Sequence, residues 1–454
     1  MMNLREAAMA MAGEMEGIDR CFVGVSTDTR AIAPGELFFA LKGDRFDAAQ
    51  FLDAAFRAGA AGAVIGHGDT PPLPLGASVI RVEDTRAALG RLAAHWRNRY
   101  TLTLVGLTGS NGKTTVKDMI AAVLRVHCGD PAHVLATEGN LNNDIGVPIT
   151  LLRLREHHRY AVIEMGMNHA GEIRYLTGLA RPDVALVNNA GTAHIGMLGS
   201  REAIARAKGE IYEGLGARGV AVINADDAYA GKWRSSNARR PIVDFALDAT
   251  AQVTGCYTGH ALHSDIVVQT PAGRTQFTLH VPGAHNVRNA VAAAATAVAL
   301  GVAPDTIGRA LEDFHGPKGR MQQFQGRGGC TLIDDTYNAN PDSTLAAIAV
   351  LSGLRGKRIL VLGDMGELGA EAQAQHTAIG SAARSAGIER VFALGELTAA
   401  TVEAFGAGAR HLDAIEALVE AVVSELGADT TVLVKGSRFM RMERVVRALA
   451  VEEQ

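Results

Sequence analysis

Short apolar runs recur through the middle of the chain at residues 102–107 (LTLVGL), 160–164 (YAVIE), 184–188 (VALVN) and 220–224 (VAVIN). They are continuous rather than alternating, which is the pattern of parallel strands buried on both faces. Segments between them carry apolar positions at helical spacing, and helices are predicted over 115–125 and 200–214. A later set, 331–335, 358–362, 391–394 and 431–434, alternates with predicted helices at 345–354 and 413–426. Residues 1–100 differ, with shorter strands at 37–41, 63–65 and 78–82 and an amphipathic helix at 85–97. Glycine and proline concentrate in 315–320 (HGPKGR) and mark a boundary. The pattern predicts an α/β protein of three domains, 1–100, 101–316 and 317–454.

A length of 454 residues fits that number of domains. The net charge is −4 with acids and bases interspersed, so nothing points to nucleic acid or an anionic membrane. Cys21, Cys128, Cys256 and Cys330 are scattered and read as reduced, mostly buried thiols, neither a disulfide frame nor a zinc site. Residues 1–13 are too weakly apolar for a secretory signal, and the alanine-rich run 290–303 is too short to span a bilayer. That run reads as a packed helix, and the chain as a soluble cytoplasmic protein, expected to be a monomer.

The sharpest chemical signal follows the 102–107 strand: Thr108-Gly109-Ser110-Asn111-Gly112-Lys113-Thr114-Thr115. A strand ending in a glycine turn with Lys-Thr reads as a phosphate-binding loop. The glycines let backbone N–H groups face phosphate oxygens, Lys113 meets the outer phosphates, and the Thr114 hydroxyl can ligate Mg²⁺. The following helix aims the positive end of its dipole at the same anion. The general pattern has a further glycine where this chain has Leu107.

Other polar residues fall beyond the carboxyl ends of strands, where such sheets collect ligands. Glu164 ends the YAVIE strand and is a natural Mg²⁺ ligand if that strand neighbours the phosphate-loop strand. Taken singly, His194 in Asn188-Asn189-Ala190-Gly191-Thr192-Ala193-His194 reads as a structural histidine. Lys208, in Ala207-Lys208-Gly209-Glu210, reads alone as a solvated lysine.

Taken together, in this order and spacing, the phosphate loop, IEMG with Glu164, NNAGTAH with His194 and AKGEIYE with Lys208 resemble the ATP-dependent Mur ligase family. The resemblance covers nearly the whole chain, and the family's loop pattern, TGxxGKT, accounts for Leu107. The strings at 138–146 (EGNLNNDIG), 334–341 (DDTYNANP) and 433–438 (LVKGSR) favour the branch that adds D-alanyl-D-alanine to UDP-N-acetylmuramoyl-tripeptide.

The resemblance implies an N-terminal domain for the UDP-substrate, a central ATP-binding domain and a C-terminal Rossmann-like domain. It implies amide ligation through an acyl phosphate, in cytoplasmic peptidoglycan precursor synthesis. ATP contacts would come from Thr108–Thr114, from Asn286 near the base, from Arg320 at the hinge, and from Asp335 and Lys435. Mg²⁺ would be held by Thr114 and Glu164, and a second Mg²⁺ by His194 and a carbamylated Lys208. Lys113, Glu164, His194 and Lys208 would be the catalytic set.

Thr29 and Arg30, in Ser26-Thr27-Asp28-Thr29-Arg30, are the candidates for the uridine-diphosphate site. Asn338 and Asn340, with Tyr337, are the candidates for the dipeptide acceptor. Ala49 and Gln50 stand where relatives commonly carry His and Asp, which removes any contact made there by that His. Rival readings are another ligase of the same superfamily, a phosphate-loop ATPase or GTPase switch, and a nucleotide-binding module without catalysis. A switch would hydrolyse nucleotide without any amine acceptor, and a module would not need Lys113, Glu164, His194 and Lys208 together.

Overall fold

Three twisted sheets, each with its own helices, organise the chain in this computed structural model, which describes residues 1–43, 46–69, 72–193 and 195–451. The N-terminal sheet has five strands in the order Glu14–Glu16, Val79–Val82, Gly62–Gly66, Glu36–Phe39, Gly24–Ser26. Only the pairing of Glu14–Glu16 is antiparallel. The predicted strands are present. Glu14–Glu16 and Gly24–Ser26 are additions too short to carry a pattern. The helix Thr85–Arg97 starts where predicted because Asp84 caps it, its carboxylate accepting from the N–H groups of Arg86 and Ala87.

The central sheet has nine strands. Its parallel part runs Ile242–Ala246, Val220–Asn224, Val184–Val187, Thr103–Thr108, Tyr160–Glu164, Val134–Ala136. Leu104, Val105, Leu107, Val162 and Ile163 have no exposure, as continuous apolar runs require. Burying each such side chain contributes roughly 1.5–3 kcal/mol. Tyr160–Glu164 pairs directly with Thr103–Thr108, placing Glu164 opposite Leu107, and Val187 lies opposite Thr108 on the other side. The phosphate loop, Glu164 and Asn188 therefore leave the sheet side by side. Val253–Gly259 continues the sheet parallel to Ile242–Ala246, and Ser264–Thr270 and Gly273–Leu279 then extend it as antiparallel hairpins. The predicted packed helix is Ala284–Ala299, buried from Asn286 to Ala297 except at Arg288, its small side chains lying close against the helix Lys113–Cys128.

The third sheet has six strands in the order Gln322–Gln325, Thr331–Asp335, Thr430–Lys435, Lys357–Gly363, Arg390–Leu394, Ala409–Leu412, all parallel but the first. The helix Pro341–Ser352 starts earlier than predicted, because Asn340 and Ser343 form a reciprocal capping box. The helix predicted over 200–214 divides into Arg201–Gly209 and a 3₁₀ turn, Glu210–Gly214.

One apolar cluster joins the N-terminal helices to the central sheet through Leu92, Leu104, Ile163 and Leu176. Another joins the central domain to the third through Val287, Ile333 and Ile348. Among the described residues no helix is long and apolar enough to cross a membrane. The expectation of mostly buried cysteines is corrected. All four are free, but only Cys330 is buried, Cys128 is half-buried, and Cys21 and Cys256 are exposed, Cys256 on the outer half of the strand Val253–Gly259.

Candidate active site

The carboxyl ends of the central strands and the face of the third domain enclose a cleft of about 680 Å³. Its floor is the phosphate loop. Gly112 adopts φ +78°, and a Cβ there would lie 2.4 Å from Asn289 Oδ1, so only glycine fits the turn into the helix Lys113–Cys128. The first N–H groups of that helix have no acceptor within it, so they face an incoming anion. The loop is braced from behind. Asn111 N–H donates to Asn189 Oδ1 at 2.9 Å, and the side chains of Asn188 and Asn189 both donate to the Asn111 carbonyl at 3.0 Å. Asn188 also donates to Asn289 Oδ1 at 3.0 Å.

Lys113 folds back over the loop, Nζ donating to the carbonyls of Gly109 at 2.8 Å and Ser110 at 3.3 Å. Loss of water lowers its pKa, which the nearby Glu164 carboxylate partly offsets. Glu164 is 1% exposed. Asn142 Nδ2 holds its Oε1 at 2.7 Å, while its Oε2 has no partner among the described residues. The buried hydroxyls of Thr108 and Ser110 are likewise unpaired. An orphaned carboxylate oxygen beside orphaned hydroxyls and an open helix N-terminus is a hard-oxygen donor set, and it fits Mg²⁺ carried by a polyphosphate.

Lys208 is also 1% exposed, on the helix Arg201–Gly209 that Ser200 caps. Burial, then the charge of Lys113, pushes its pKa well below the ordinary lysine value. The solvated lysine suggested by its local sequence is thus corrected. His194 lies outside the described residues.

The third domain reaches the loop at several points. Arg320 donates from Nη2 to Thr114 Oγ1 at 2.9 Å and stacks on Tyr337 at 4.1 Å. Asp335 and Lys435, register partners on adjacent strands, form a buried ion pair at 2.6 Å, and Lys435 also donates to the Asn338 carbonyl. Asn340 caps its own helix with Oδ1, and its Nδ2 donates to Asn111 Oδ1 at 2.8 Å, so this side chain is taken up. Asn338 stays exposed on the cleft wall, its Oδ1 accepting from the next N–H. Asp342 Oδ2 accepts from both N–H and Oγ1 of Thr192 at 2.9 Å. Asn286 lines the cleft, but its amide donates to the Pro282 carbonyl at 2.8 Å and accepts from Asn289. His285 beside it is pushed by burial down to about 4.

Thr29 and Arg30 lie outside this cleft, on the N-terminal domain. Asp28 accepts from the backbone N–H and the guanidinium of Arg30, forming a closed turn, and Arg30 holds the Asp28 carboxyl down at about 2. Asn142, Asn188, Asn189, Asn289 and Asp342 were not singled out by sequence. Asn142, Asn188 and Asn189 did stand inside strings the sequence marked.

Three family profiles match the chain: "Mur ligase family, catalytic domain" over residues 22–97, "Mur ligase middle domain" over 107–297 and "Mur ligase, glutamate ligase domain" over 319–438. The chain is 43% identical over 454 residues to UDP-N-acetylmuramoyl-tripeptide–D-alanyl-D-alanine ligase of Escherichia coli, covering 98% of both. Its fold matches a crystal structure of MurF from Acinetobacter baumannii with TM-score 0.90 and 34% identity, covering 98% of each chain. It also matches MurF ligase of Thermotoga maritima, solved in complex with ADP, with TM-score 0.81 and 24% identity over 94% of this chain and 96% of that one.

Proposed function

The chain belongs to the Mur ligase family, and we propose that its central cleft is where ATP activates the substrate carboxylate. The reaction is the ATP-dependent joining of D-alanyl-D-alanine to UDP-N-acetylmuramoyl-tripeptide in peptidoglycan precursor synthesis. A carboxylate is a poor electrophile, and phosphorylation turns one of its oxygens into a leaving group.

In the first step, an oxygen of the tripeptide's terminal carboxylate attacks the γ-phosphorus, and the bond to the ADP oxygen breaks. Lys113 and the N–H groups opening the helix Lys113–Cys128 neutralise the charge carried by the transferring group. In the second step, the amine of D-alanyl-D-alanine attacks the acyl carbon. The tetrahedral intermediate then expels phosphate with its electron pair, and the amine proton is lost.

Thr114 and Glu164 would hold one Mg²⁺, and His194 with a carbamylated Lys208 a second; bound Mg²⁺ supplies charge neutralisation to the phosphate oxygens and the carboxylate. Burial supports the carbamate, because it favours the neutral amine that adds CO₂ with loss of one proton. Arg320, Asp335 and Lys435 secure the nucleotide from the third domain, and Asn286 with His285 borders the base. Asn338 meets the dipeptide. Asn340, the other candidate, acts by bracing Asn111. Thr29 and Arg30 present the N-terminal domain's edge to the uridine diphosphate. Division at 1–100, 101–316 and 317–454, a monomeric state and a cytoplasmic location complete the reading.

The observation that carries it is the unpaired Glu164 oxygen beside the phosphate loop, with Lys113 close by. The test is phosphate release from ATP with UDP-tripeptide, with and without D-alanyl-D-alanine. Release stoichiometric with amide formation is expected, and sustained release indifferent to the acceptor refutes it.

A further inference from the structure

The hairpin joining Val253–Gly259 to Ser264–Thr270 brings three metal-binding side chains to one face, away from the ligase cleft. The His260 N–H donates to the His263 carbonyl at 2.9 Å, so the two histidines close the turn and face each other. Their rings stack at 4.4 Å with 19° between planes. Asp265 lies two residues beyond His263, and the strand period returns its side chain to the same face. That face is the solvent side, since Ser264 and Ile266 are buried and Asp265 is exposed.

The carboxylate is already oriented. Thr278, its register partner on the next strand, donates to Oδ1 at 2.8 Å, and His260 Nε2 lies 2.9 Å from Oδ2. One ligand atom from each of the three residues lies within 4.8 Å of the others.

We propose that His260, His263 and Asp265 form a surface site for a borderline divalent transition metal of the zinc class. Metal–nitrogen and metal–oxygen bonds of about 2.1 Å at the tetrahedral angle span about 3.4 Å, so His260 Nε2 and Asp265 Oδ2, now 2.9 Å apart, need separate by only about half an ångström as the metal replaces the proton between them. A small rotation of His263 completes one face of the coordination sphere. Two imidazoles with one carboxylate favour a borderline ion and disfavour Mg²⁺, which takes oxygen ligands. Thr278 supplies the outer hydrogen bond that fixes a ligating carboxylate. Leu262, between the histidines, accepts from Gln323 Nε2 at 3.2 Å, so the site sits where this hairpin meets the edge strand of the third domain.

The test is calorimetric titration of tag-free full-length protein with ZnSO₄ in excess Mg²⁺, which keeps hard-oxygen sites occupied. One Zn²⁺ per chain is expected, and His260→Ala with His263→Ala should abolish it. Thr278→Val should weaken it by about tenfold or more through the freed carboxylate. Ligase turnover with Mg²⁺ should be the same in all these variants. Absence of saturable binding to the wild type, or Zn²⁺ binding unchanged in the double histidine variant, overturns the site. Unchanged affinity in Thr278→Val overturns the role of Asp265 and with it the three-residue arrangement.

Discussion

Asp342 is expected to act as a latch between the third domain and the central cleft, and removing it should weaken ATP binding far more than folding. Its Oδ2 takes two hydrogen bonds from Thr192 at 2.9 Å across the domain boundary. A hydrogen bond to a charged acceptor contributes about 1.5–3 kcal/mol. The pair is partly exposed, so a combined value of about 3 kcal/mol is reasonable. Lost through Asp342→Ala, that shifts the ratio of docked to undocked domain by roughly a hundredfold.

The ATP contacts proposed for Arg320, Asp335 and Lys435 would exist only in the docked form, so the apparent affinity for ATP should scale with the docked fraction. If docking is favoured by about tenfold at rest, the KM for ATP rises by about tenfold. A less favoured docked state brings the rise nearer a hundredfold. Saturating ATP restores docking, and kcat should fall much less. Gly191 gives an independent route to the same state, because a Cβ there would lie 2.6 Å from Asp342 Oδ2 and displace the carboxylate. Gly191→Ala should reproduce the phenotype, and the double variant should be no worse than either single one, since both remove one interaction. Steady-state phosphate release gives the KM and kcat values, and thermal melts confirm folding. A KM within twofold of wild type in folded Asp342→Ala, or additive effects in the double variant, would refute the latch.

Lys113→Ala should lower kcat by about a hundred- to a thousandfold with the fold retained by circular dichroism, and near-normal ligation would remove Lys113 from the phosphate site. Lys208→Ala should be almost inactive and partly rescued by short carboxylic acids in the vacated space; a high-resolution map of the substrate complex with an unmodified Lys208 amine turned away refutes the carbamate. Asn338→Ala should raise the KM for D-alanyl-D-alanine while acyl-phosphate trapping without acceptor is unchanged. The reverse outcome places Asn338 in the nucleotide site. Burial, helped by the charge of His157, pushes His158 from 6.5 to about 4, and its Nδ1 accepts from the Arg155 N–H. The unfolded chain therefore takes up a proton that the folded one refuses, and stability should fall as pH drops from about 6.5 towards 4. Denaturation across that window should show a shallower slope in His158→Gln, and an identical slope refutes the assignment.

Legibility followed the source of each residue's role. Strands buried on both faces were read correctly at Thr103–Thr108, Tyr160–Glu164 and Thr331–Asp335, because their apolar runs owe nothing to context. The hairpin strands were missed although Ser264–Thr270 alternates buried and exposed positions cleanly. Half of each such strand is polar, and alternation over so few residues competes poorly with the continuous runs nearby. Val134–Ala136 is too short for any period. The placement of Lys113, Thr114 and Glu164 at the ends of strands and at the start of a helix was legible because strand ends and glycine turns are local features. Asp342 was not, since locally it is an ordinary acidic residue in the first turn of a helix, and its partner is 150 residues away.

The asparagines show why that limit is physical. Asn188 and Asn189 brace the phosphate loop over separations of 77 and 78 residues, Asn289 accepts from Asn188 over a further 101, and alone each reads as a turn former. A lysine bracing the Asn111 carbonyl would add a charge competing with Lys113 for the anion, and an aspartate would repel it. An amide donates and accepts at once and stays neutral. It can therefore fix the loop's shape before the nucleotide arrives without altering the field that Lys113 and the helix N-terminus direct at the phosphates. Asn340 extends the same logic across the domain boundary, holding Asn111 Oδ1 at 2.8 Å while its Oδ1 caps the helix that carries Asp342. The loop's shape and the third domain's position are thus linked by a neutral contact between Asn340 and Asn111, alongside the charged ones between Asp342 and Thr192 and between Arg320 and Thr114.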